Sequence, residues 1–397
     1  MGFFSEVSWQ STGTDVPTTP HCGLCGLSKK CFSPRMPPTG LGKRKVLFVS
    51  EAPGVEEDRQ GSHLIGESGQ LLRKILDSLD VDLDDCWRTS AVICHPPNNE
   101  IDEKYIKACR PNLIKTIRDL APMVIIPLGG SPVQSLIQPL WKKDMGPISR
   151  WVGWTIPSGK AWICPTYHPS YLLKMDEDEQ LVSITRKHLK KALSMEFEIP
   201  PVCSLSHLQQ KVEVILTDQA ARARLRDLLT KCGLLAFDYE TTGLKPENPE
   251  QRIVSCSFCL NGEDTWAFPV TERTTPLLSR VLLSPNLVKI ASNLKFEERW
   301  TRAKMGHGVV NWDWDTMQAA HVLDNRRQVT SVKFQSFVLL GIGDYNSHVE
   351  KYLQSESANG LNRITDLDIR DVLLYNGLDS LLEYRVAQIQ KRMMGWR

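Results

Sequence analysis

Leu234-Leu-Ala-Phe-Asp-Tyr-Glu240 is the stretch that decides the fold of the C-terminal half. Its apolar run has the length and composition of a buried β-strand. Side chains alternate across a strand, so Asp238 and Glu240 leave the same face. Two acids on one face of a buried strand need a cation or solvent opposite them, because burying a charge is costly. The stretch therefore predicts either a metal site or a solvent-exposed strand end.

Later segments add further acids and a phenol. Asn293-Leu-Lys-Phe-Glu297 comes first, and residues 315–324 follow with a helical pattern. Tyr375 and Asp379 are one helical turn apart and so share a helix face. Four carboxylates from these segments predict a site for two divalent ions that clamp the oxygens of a phosphoryl transfer, and oxygen ligands favour Mg²⁺ or Mn²⁺. The four are Asp238, Glu240, Glu297 and Asp379.

In this order the motifs resemble the 3′→5′ exonuclease domain of family A DNA polymerases, within the tyrosine subtype of the DEDD nuclease superfamily. The resemblance covers roughly residues 210–395 and implies an RNase H-like α/β fold. It implies that Asp238, Glu240 and Asp379 are metal ligands and that Tyr375 orients the attacking water. Thr241 and Asn293 would contact the substrate strand.

One residue departs from the family pattern. The second motif normally ends in Asp, whereas this chain has Glu297. A longer acid still reaches a metal, directly or through water, so the resemblance implies altered metal geometry more than loss, and Glu298 is the weaker substitute. Ribonucleases of the superfamily share the Asp-x-Glu and Tyr-x-x-x-Asp elements. The extension Thr241-Thr-Gly243 and the segment 315–324 favour the polymerase branch, and hence DNA.

Apolar runs and helical spacing alternate along the rest of the chain, which predicts parallel or mixed sheets covered by helices. The predicted strands are residues 46–49, 90–93, 124–128 and 162–164 in the N-terminal half and 212–216, 234–239 and 253–259 in the C-terminal half. The predicted helices are residues 69–79, 103–120 and 220–231, the last capped by Asp218. The remainder of the C-terminal half is predicted to be largely helical.

Cysteines form a second pattern. Cys22-Gly-Leu-Cys25 is a C-x₂-C pair, and Cys94 and Cys109 are two further candidates. Four thiolates bind Zn²⁺ or a [4Fe–4S] cluster, although buried core cysteines are the alternative and Cys31 competes for a place. Eleven cysteines without an export signal argue against a disulfide framework.

Further motifs surround these cysteines in a fixed order. They are Ser50-Glu-Ala-Pro-Gly54, Gly66-Glu-Ser-Gly-Gln-Leu-Leu72, Cys94-His-Pro-Pro97, Cys109-Arg-Pro111 and Thr166-Tyr-His-Pro-Ser170. Together they resemble the family 4 (iron–sulfur) uracil-DNA glycosylases over roughly residues 20–193, which implies an α/β/α sandwich. The resemblance implies a structural [4Fe–4S] cluster on four cysteines, with Zn²⁺ as the lesser alternative. The four are Cys22, Cys25, Cys94 and Cys109.

The same resemblance places Glu51 in the catalytic loop, and His168 where it stabilises charge on the departing uracil. Two departures concern base recognition, which needs hydrogen bonds to the base edge and stacking on its face. The family's base-reading Asn falls at Ser90, and its stacking Phe falls at Leu64 or Ile65. Serine is too short for the bidentate contact, and an aliphatic side chain offers no π-face. We therefore expect DNA binding with weak or absent uracil excision.

These observations predict an α/β protein of two domains. Residues 1–20 form a flexible arm, 21–195 the glycosylase-like domain, 196–204 a proline-containing linker and 205–397 the exonuclease domain. The net charge of +2 requires local basic patches for nucleic-acid binding. We find no signal peptide and no apolar run near the roughly 20 residues of a membrane span, which predicts a cytoplasmic protein with no membrane partner.

The predicted function is a proofreading-type 3′→5′ exonuclease fused to a glycosylase-like DNA-binding module. Its substrates would be single-stranded DNA and DNA 3′ ends, and a separate subunit would supply the polymerase. This pairing is typical of bacteriophage replication proteins, which would place the chain in a bacterial host cytoplasm. Two alternatives stay open. One is a repair enzyme that excises uracil and then trims DNA; the other is a polymerase-binding scaffold whose nuclease is impaired by Glu297.

Overall fold

The structure is a computed structural model that describes residues 22–201, 203–357 and 359–396. The chain divides into two compact units between residues 202 and 203, a point inside the predicted linker. The predicted arm, residues 1–20, lies outside the described residues. Within the described ranges, no helix is long and apolar enough to cross a membrane.

The N-terminal unit is built on a five-stranded sheet in the order β2-β1-β3-β5-β4. All neighbouring pairs are parallel except β4 with β5. The strands are β1 Val46–Ser50, β2 Trp87–Ser90, β3 Val124–Pro127, β4 Ile156–Ser158 and β5 Ala161–Ile163. The helices are α1 Cys22–Cys25, α2 Val55–Gln60, α3 Glu67–Asp77, α4 Glu103–Leu120, α5 Gly130–Trp141, α6 Pro169–Lys174 and α7 Glu179–Ser194.

Two strands of this sheet differ from the prediction. The strand predicted at 90–93 ends at Ser90, and residues 91–94 continue as a loop beyond its carboxyl end. Sequence periodicity misses β2 because it carries Arg88, which is buried and pairs with Asp84 (2.9 Å). Strand β4 is only three residues long and was not predicted. Strands β1 and β3 were predicted from their apolar runs. These runs are continuous because both faces of a parallel strand are buried.

The C-terminal unit is built on a six-stranded mixed sheet in the order β11-β10-β7-β8-β9-β6. Strand β7 pairs antiparallel with β8 and parallel with β10. The strands are β6 Val212–Val214, β7 Gly233–Thr241, β8 Ile253–Leu260, β9 Asp264–Pro269, β10 Leu287–Ala291 and β11 Trp312–Asp315. The helices are α8 Leu205–Gln210, α9 Asp218–Leu228, α10 Thr275–Leu282, α11 Leu294–Met305, α12 Thr316–Leu323, α13 Val332–Leu340, α14 Ser347–Leu353 and α15 Ile369–Met393.

The side chains of strand β7 alternate between two hydrophobic clusters, one on each face of the sheet. Leu235, Phe237 and Tyr239 pack with α9, α10 and Trp300 on one face. Ala236 packs on the opposite face with residues of α12 and α15. Asp238 and Glu240 have the same parity as Ala236, so the strand directs both carboxylates toward α15. The acids therefore lie inside the unit, and the alternative of a solvent-exposed strand end is wrong for Glu240, which is 7% exposed.

Two features of this unit differ from the sequence predictions. The part after residue 260 is largely helical, but it also contains β9, β10 and β11, which were not predicted. These strands carry Asp264, Lys289 and three tryptophans, which obscure a simple alternation. The N-cap of α9 is Thr217 and not Asp218, since the Thr217 hydroxyl accepts the backbone N–H of Ala220 (3.3 Å).

A glycine allows α15 to lie directly on the sheet. A Cβ atom at Gly377 would stand 2.3 Å from Cγ1 of Val212 in β6, closer than side-chain carbons pack. The helix approaches the strands at this point because residue 377 has no side chain. Tyr375, Asn376 and Asp379, on either side of this glycine, are thereby held against the sheet.

Candidate functional site

Strand β7 and helix α15 bring three carboxylates together. Oxygen atoms of Asp238, Glu240 and Asp379 lie within 4.8 Å of one another. Asp379 is buried between the helix and the sheet, as is Glu240. Three hard oxygen donors at this spacing fit a divalent cation such as Mg²⁺ or Mn²⁺.

Burial and mutual repulsion dominate the electrostatics of this group. Burial, followed by the charge of Asp379, raises the pKa of Asp238 to about 8. Burial and the charge of Asp238 raise the pKa of Glu240 well above its usual range. Carboxylates that repel one another in a low-dielectric site either take up protons or bind cations. The site therefore strongly favours the binding of positive charge.

Lys333 of α13 provides one such charge. Its ammonium group lies 2.7 Å from Oδ2 of Asp379. Tyr345 donates its hydroxyl to Oδ1 of the same carboxylate (2.5 Å). Burial lowers the pKa of Lys333, but the charges of Asp379, Tyr345 and Asp238 outweigh it and leave the pKa well above its usual range. The ammonium therefore stays charged beside the acids.

Tyr375 lies in the same environment. Its side chain is buried, and the Lys333 ammonium stands 5.1 Å from the centre of its ring. Burial and the charge of Asp379 raise the pKa of the phenol well above its usual range. Tyr375 therefore keeps its proton, which a group that orients water by hydrogen bonding requires.

Asn376, the residue after Tyr375, fixes the position of Asp238. Its side-chain amide donates to Oδ2 of Asp238 (2.7 Å). Ser255 and Ser257 of β8 in turn hold Asn376, by its side-chain oxygen (3.0 Å) and its backbone carbonyl (2.8 Å). Sequence reasoning missed Asn376, although its place inside the Tyr375–Asp379 motif offered a signal. Lys333 and Tyr345 had no such signal, because only the tertiary fold brings them to Asp379.

Glu297 stands apart from the three-acid group, although it belongs to the same environment. It is 2% exposed, and burial followed by the charge of Asp238 raises its pKa well above the usual range. Its Oε2 atom has no hydrogen-bond partner among the described residues. Glu298 is oriented differently: its carboxylate accepts the backbone N–H of Val309 (2.8 Å) and pairs with Arg302 (2.7 Å). Glu297 is therefore the acid of this motif that faces the site.

The two residues predicted to contact substrate differ in their surroundings. Thr241 is buried, and its hydroxyl donates to the carbonyl of Gly243 (2.7 Å), so it shapes the loop after β7. Asn293 is partly exposed and has left-handed backbone geometry (φ 65°) at the start of α11. Its backbone N–H donates to Asp315 (2.9 Å), whose other carboxylate oxygen accepts from Leu294 (3.1 Å). Through these hydrogen bonds, Asp315 fixes the position of the second motif relative to the start of α12.

The N-terminal unit gathers the predicted cysteines. All four thiols line one pocket; they are Cys22, Cys25, Cys94 and Cys109. Backbone N–H groups point at two of the sulfurs, from Arg35 to Cys94 (3.2 Å) and from Ile93 to Cys109 (3.4 Å). Cys31 is hydrogen-bonded to Cys94 and packs in the same hydrophobic cluster. Soft sulfur donors with N–H groups directed at them are the ligand type of zinc and iron–sulfur sites, although no three of these four described sulfurs lie within 4.8 Å of one another.

Glu51 and His168 also come together. Oε1 of Glu51 accepts the backbone N–H of Ser131 (3.3 Å). A Cβ atom at Gly129 would stand 2.8 Å from that oxygen and 3.0 Å from Cβ of His168, and the φ of +91° also favours glycine. Nδ1 of His168 accepts the backbone N–H of Ser170 (3.1 Å). Burial lowers the pKa of His168, so the imidazole is neutral.

Ser90 and Leu64 are closed to solvent, whereas Ile65, the other candidate for the stacking position, is partly exposed. Ser90 is fully buried, and its hydroxyl is bonded to the hydroxyl of Ser50 (2.7 Å) and to Nδ1 of His63 (3.0 Å). Burial lowers the pKa of His63 to about 4, so this ring is neutral too. Leu64 is 4% exposed and packs in the hydrophobic core. Neither Ser90 nor Leu64 presents its side chain to an open pocket.

Comparison with known proteins gives a family for each unit. Residues 37–194 match the uracil DNA glycosylase superfamily. Residues 213–394 match the 3′–5′ exonuclease domain family of A-type DNA polymerases. Each match covers most of one unit.

Individual relatives agree with this division. The type-4 uracil-DNA glycosylase of Saccharolobus solfataricus is 32% identical over 164 residues, which are 40% of this chain and 76% of the relative. The DNA polymerase of Bacillus phage SP01 is 24% identical over 381 residues, which are 88% of this chain and 40% of the polymerase. A solved structure, the catalytic core of RRP6 from Trypanosoma brucei, is similar over 49% of this chain and 51% of its own, with 17% identity and a TM-score of 0.37.

The Glu51–His168 pair, the three-acid group and Cys94 and Cys109 of the thiol pocket thus lie inside regions that match known families, whereas Cys22 and Cys25 precede the matched residues. The chain belongs to the uracil-DNA glycosylase superfamily through its N-terminal unit, whose relatives are type-4 enzymes, and its C-terminal unit is a 3′–5′ exonuclease domain of the DNA polymerase A type.

Proposed function

We propose that the C-terminal unit is a metal-dependent 3′→5′ exonuclease that degrades DNA by two-metal phosphodiester hydrolysis. The observation that carries this proposal is the group formed by Asp238, Glu240 and Asp379, whose oxygens lie within 4.8 Å of one another. The exonuclease family match over residues 213–394 supports the reaction class. The similarity to a phage DNA polymerase supports DNA over RNA as substrate.

Each side chain has a physical role in this proposal. Divalent ions held by the acids would activate water and neutralise charge on the phosphate. Tyr375 is protonated and buried, so it can hold a water by hydrogen bonding. Lys333 and Tyr345 restrain the Asp379 carboxylate, and Asn376 restrains Asp238. Asn293 is the better candidate for a strand contact, because Thr241 is buried and bonded within its own loop.

Digestion of 5′-labelled single-stranded DNA tests the nuclease. With Mg²⁺ we expect a ladder that shortens from the 3′ end, and no digestion with EDTA. Asp238→Ala and Asp379→Asn should each slow digestion at least about a hundredfold, because ligand carboxylates are lost. Asp371→Asn is the matched control, since Asp371 is exposed on the same helix. Tyr375→Phe should digest slowly while still binding metal.

Equal digestion by wild type and Asp238→Ala would show that the site is assigned wrongly. A wild type that digests RNA faster than DNA would overturn the substrate proposal. No digestion by the wild type, with binding to a polymerase retained, would favour the scaffold alternative. A matched uracil-containing strand in the same assay addresses the repair alternative.

We further propose that the N-terminal unit binds DNA without excising uracil efficiently. Glu51 and the neutral His168 are in place, yet Ser90 is bonded to Ser50 and His63, and Leu64 is part of the core. A site that has lost the side chain that hydrogen-bonds to the base edge loses roughly 10⁴-fold or more in discrimination between bases. The loss of a stacking ring removes a further ~1–3 kcal/mol per base.

Alkali-labile cleavage of uracil-containing single-stranded DNA measures excision. We expect little or none from the wild type, because Ser90 and Leu64 offer a base neither a hydrogen bond nor a stacking face. Ser90→Asn combined with Leu64→Phe should give no gain, since neither position opens into a pocket. Efficient excision by the wild-type protein, abolished by His168→Ala, would contradict the proposal and favour a repair enzyme.

For the thiol pocket we propose a structural [4Fe–4S] cluster. The support is the sulfur donor set in one pocket and the similarity to type-4 glycosylases. The anaerobically purified protein should be brown and contain iron and sulfide. Cys94→Ser should lose both and destabilise the N-terminal unit, because cluster binding and folding are coupled. Cys232→Ser is the control, since that thiol is exposed and outside the pocket. Stoichiometric zinc without iron would replace the cluster by a zinc site.

The last part of the proposal is a DNA polymerase supplied as a separate subunit, which delivers frayed 3′ ends to the exonuclease. In the phage DNA polymerase that aligns with 88% of this chain, the aligned part is 40% of a longer chain, which supports work alongside a polymerase but not its supply as a separate subunit. Tethering would raise the local concentration of ends far above that of free DNA. Co-elution with the cognate polymerase in gel filtration is expected at micromolar concentration. Separate elution would leave a free-standing nuclease.

A further inference from the structure

One exposed aromatic side chain of the N-terminal unit has no role in the sites described so far. Phe32 is 83% exposed. It precedes residue 37, where the family match begins, so the match assigns it no role. Single exposed apolar residues are common on protein surfaces, so the exposure of Phe32 carries meaning only together with its surroundings.

The backbone around Phe32 is fixed by hydrogen bonds. Oδ2 of Asp58 accepts the N–H of Phe32 (3.0 Å), and Oδ1 accepts the N–H of Ser33 (2.8 Å). Asp58 is itself 3% exposed. Further along, the N–H of Arg35 donates to Sγ of Cys94 (3.2 Å). The ring is therefore held in the solvent by a backbone that is anchored to the rest of the unit.

Positive charges flank this ring. Lys29, Lys30 and Arg35 are exposed, and none of their side chains has an ion pair within the part of the chain that the structure describes. The carboxylate of Asp58 is already occupied by backbone N–H groups. Residues 29–35, the aromatic–basic segment, thus place three unpaired cations around one aromatic face. A chain whose net charge is only +2 needs such a local concentration to hold a polyanion.

A second phenylalanine of the same unit shows that exposure alone is not the signal. Phe197 is 84% exposed, but it stands between Glu196 and Glu198. Carboxylates repel a phosphate backbone, whereas ammonium and guanidinium groups attract it. Of these two rings, Phe32 is the one whose charged neighbours fit a nucleic acid.

The aromatic–basic segment lies in the same part of the unit as the loop that carries Glu51. Cys31, the neighbour of Phe32, packs in one small hydrophobic cluster with Ala52, the neighbour of Glu51. Asp58, which holds Phe32, belongs to helix α2, which follows the Glu51 loop directly. DNA that lies along this loop therefore has the exposed ring beside its path.

We propose that the aromatic–basic segment is a contact surface for single-stranded DNA, in which a base stacks on the Phe32 ring and the three cations bind the flanking phosphates. A duplex is excluded as the ligand, because its base faces are covered by neighbouring base pairs. Stacking accepts any base and needs no base pocket, which agrees with the enclosure of Ser90 and Leu64. The inference rests on the proposed DNA binding by the N-terminal unit and names the residues that carry it.

Photocrosslinking of the full chain to a strand in which thymine is replaced by 5-iodouracil tests the stack. EDTA is present so that the strand is not digested. We expect mass spectrometry to find the crosslink on the peptide that contains Phe32, and none on the peptide of Phe197. Phe32→Ala should remove this crosslink, because no ring is then left for the base to stack on.

Fluorescence anisotropy in EDTA measures the affinity for a thymine-only strand whose 3′ end carries a bulky label, which hinders its entry into the exonuclease site. Phe32→Ala should weaken binding about fivefold or more, and Phe32→Tyr should bind as the wild type does. Phe197→Ala is the matched control, because it removes an equally exposed ring. Lys29→Ala and Lys30→Ala should each lower the slope of log affinity against log salt concentration by about 0.7.

Because Phe32 is exposed, Phe32→Ala should melt at the wild-type temperature, which separates lost binding from unfolding. If Phe32→Ala binds as tightly as Phe197→Ala and the crosslinks map elsewhere in the N-terminal unit, the inference is overturned while DNA binding by this unit stands. If no crosslink falls within residues 22–201, the proposed DNA binding is overturned as well. If Phe32→Ala loses the polymerase but keeps its DNA affinity, the ring is a protein contact and the inference is wrong.

Discussion

The burial of carboxylates between strand β7 and helix α15 is the constraint on which the C-terminal unit depends. Charges of one sign in a low-dielectric interior destabilise the fold unless protons or cations offset them. Two contacts offset part of this cost: Lys333 pairs with Asp379, and Asn376 donates to Asp238. Burial of these acids therefore lowers the stability of the unit, and it makes the site bind positive charge strongly.

The N-terminal unit shows a different relation between fold and site. Its sheet places Glu51 and His168 beside Gly129, within the residues that match the uracil DNA glycosylase superfamily. The positions that would read a base are instead satisfied internally, through the bonds among Ser50, Ser90 and His63. A buried hydroxyl with two partners is costly to expose, because both bonds must be broken. This geometry supports the proposal that the N-terminal unit excises uracil poorly.

The parts of the fold that could be predicted from sequence are those set by local periodicity. Alternation in β7 correctly directed Asp238 and Glu240 to one face, and helical spacing correctly paired Tyr375 with Asp379. Lys333 and Tyr345 were missed because their approach to Asp379 depends on tertiary packing, which leaves no local pattern. Strand β2 was misplaced because buried Arg88 gives it a polar sequence. The enclosure of Ser90 was equally unpredictable, since Ser50 and His63 reach it from separate segments.

Helix α15 carries Tyr375, Asn376 and Asp379 within five residues of one continuous helix. Each residue added to or removed from a helix rotates everything beyond it by about 100°. One insertion between Tyr375 and Asp379 would therefore turn part of this set away from the sheet while leaving the composition of the motif unchanged. Length variation along this lineage of proteins should consequently concentrate in the loops before residue 369, and the interval 375–379 should keep a constant number of residues.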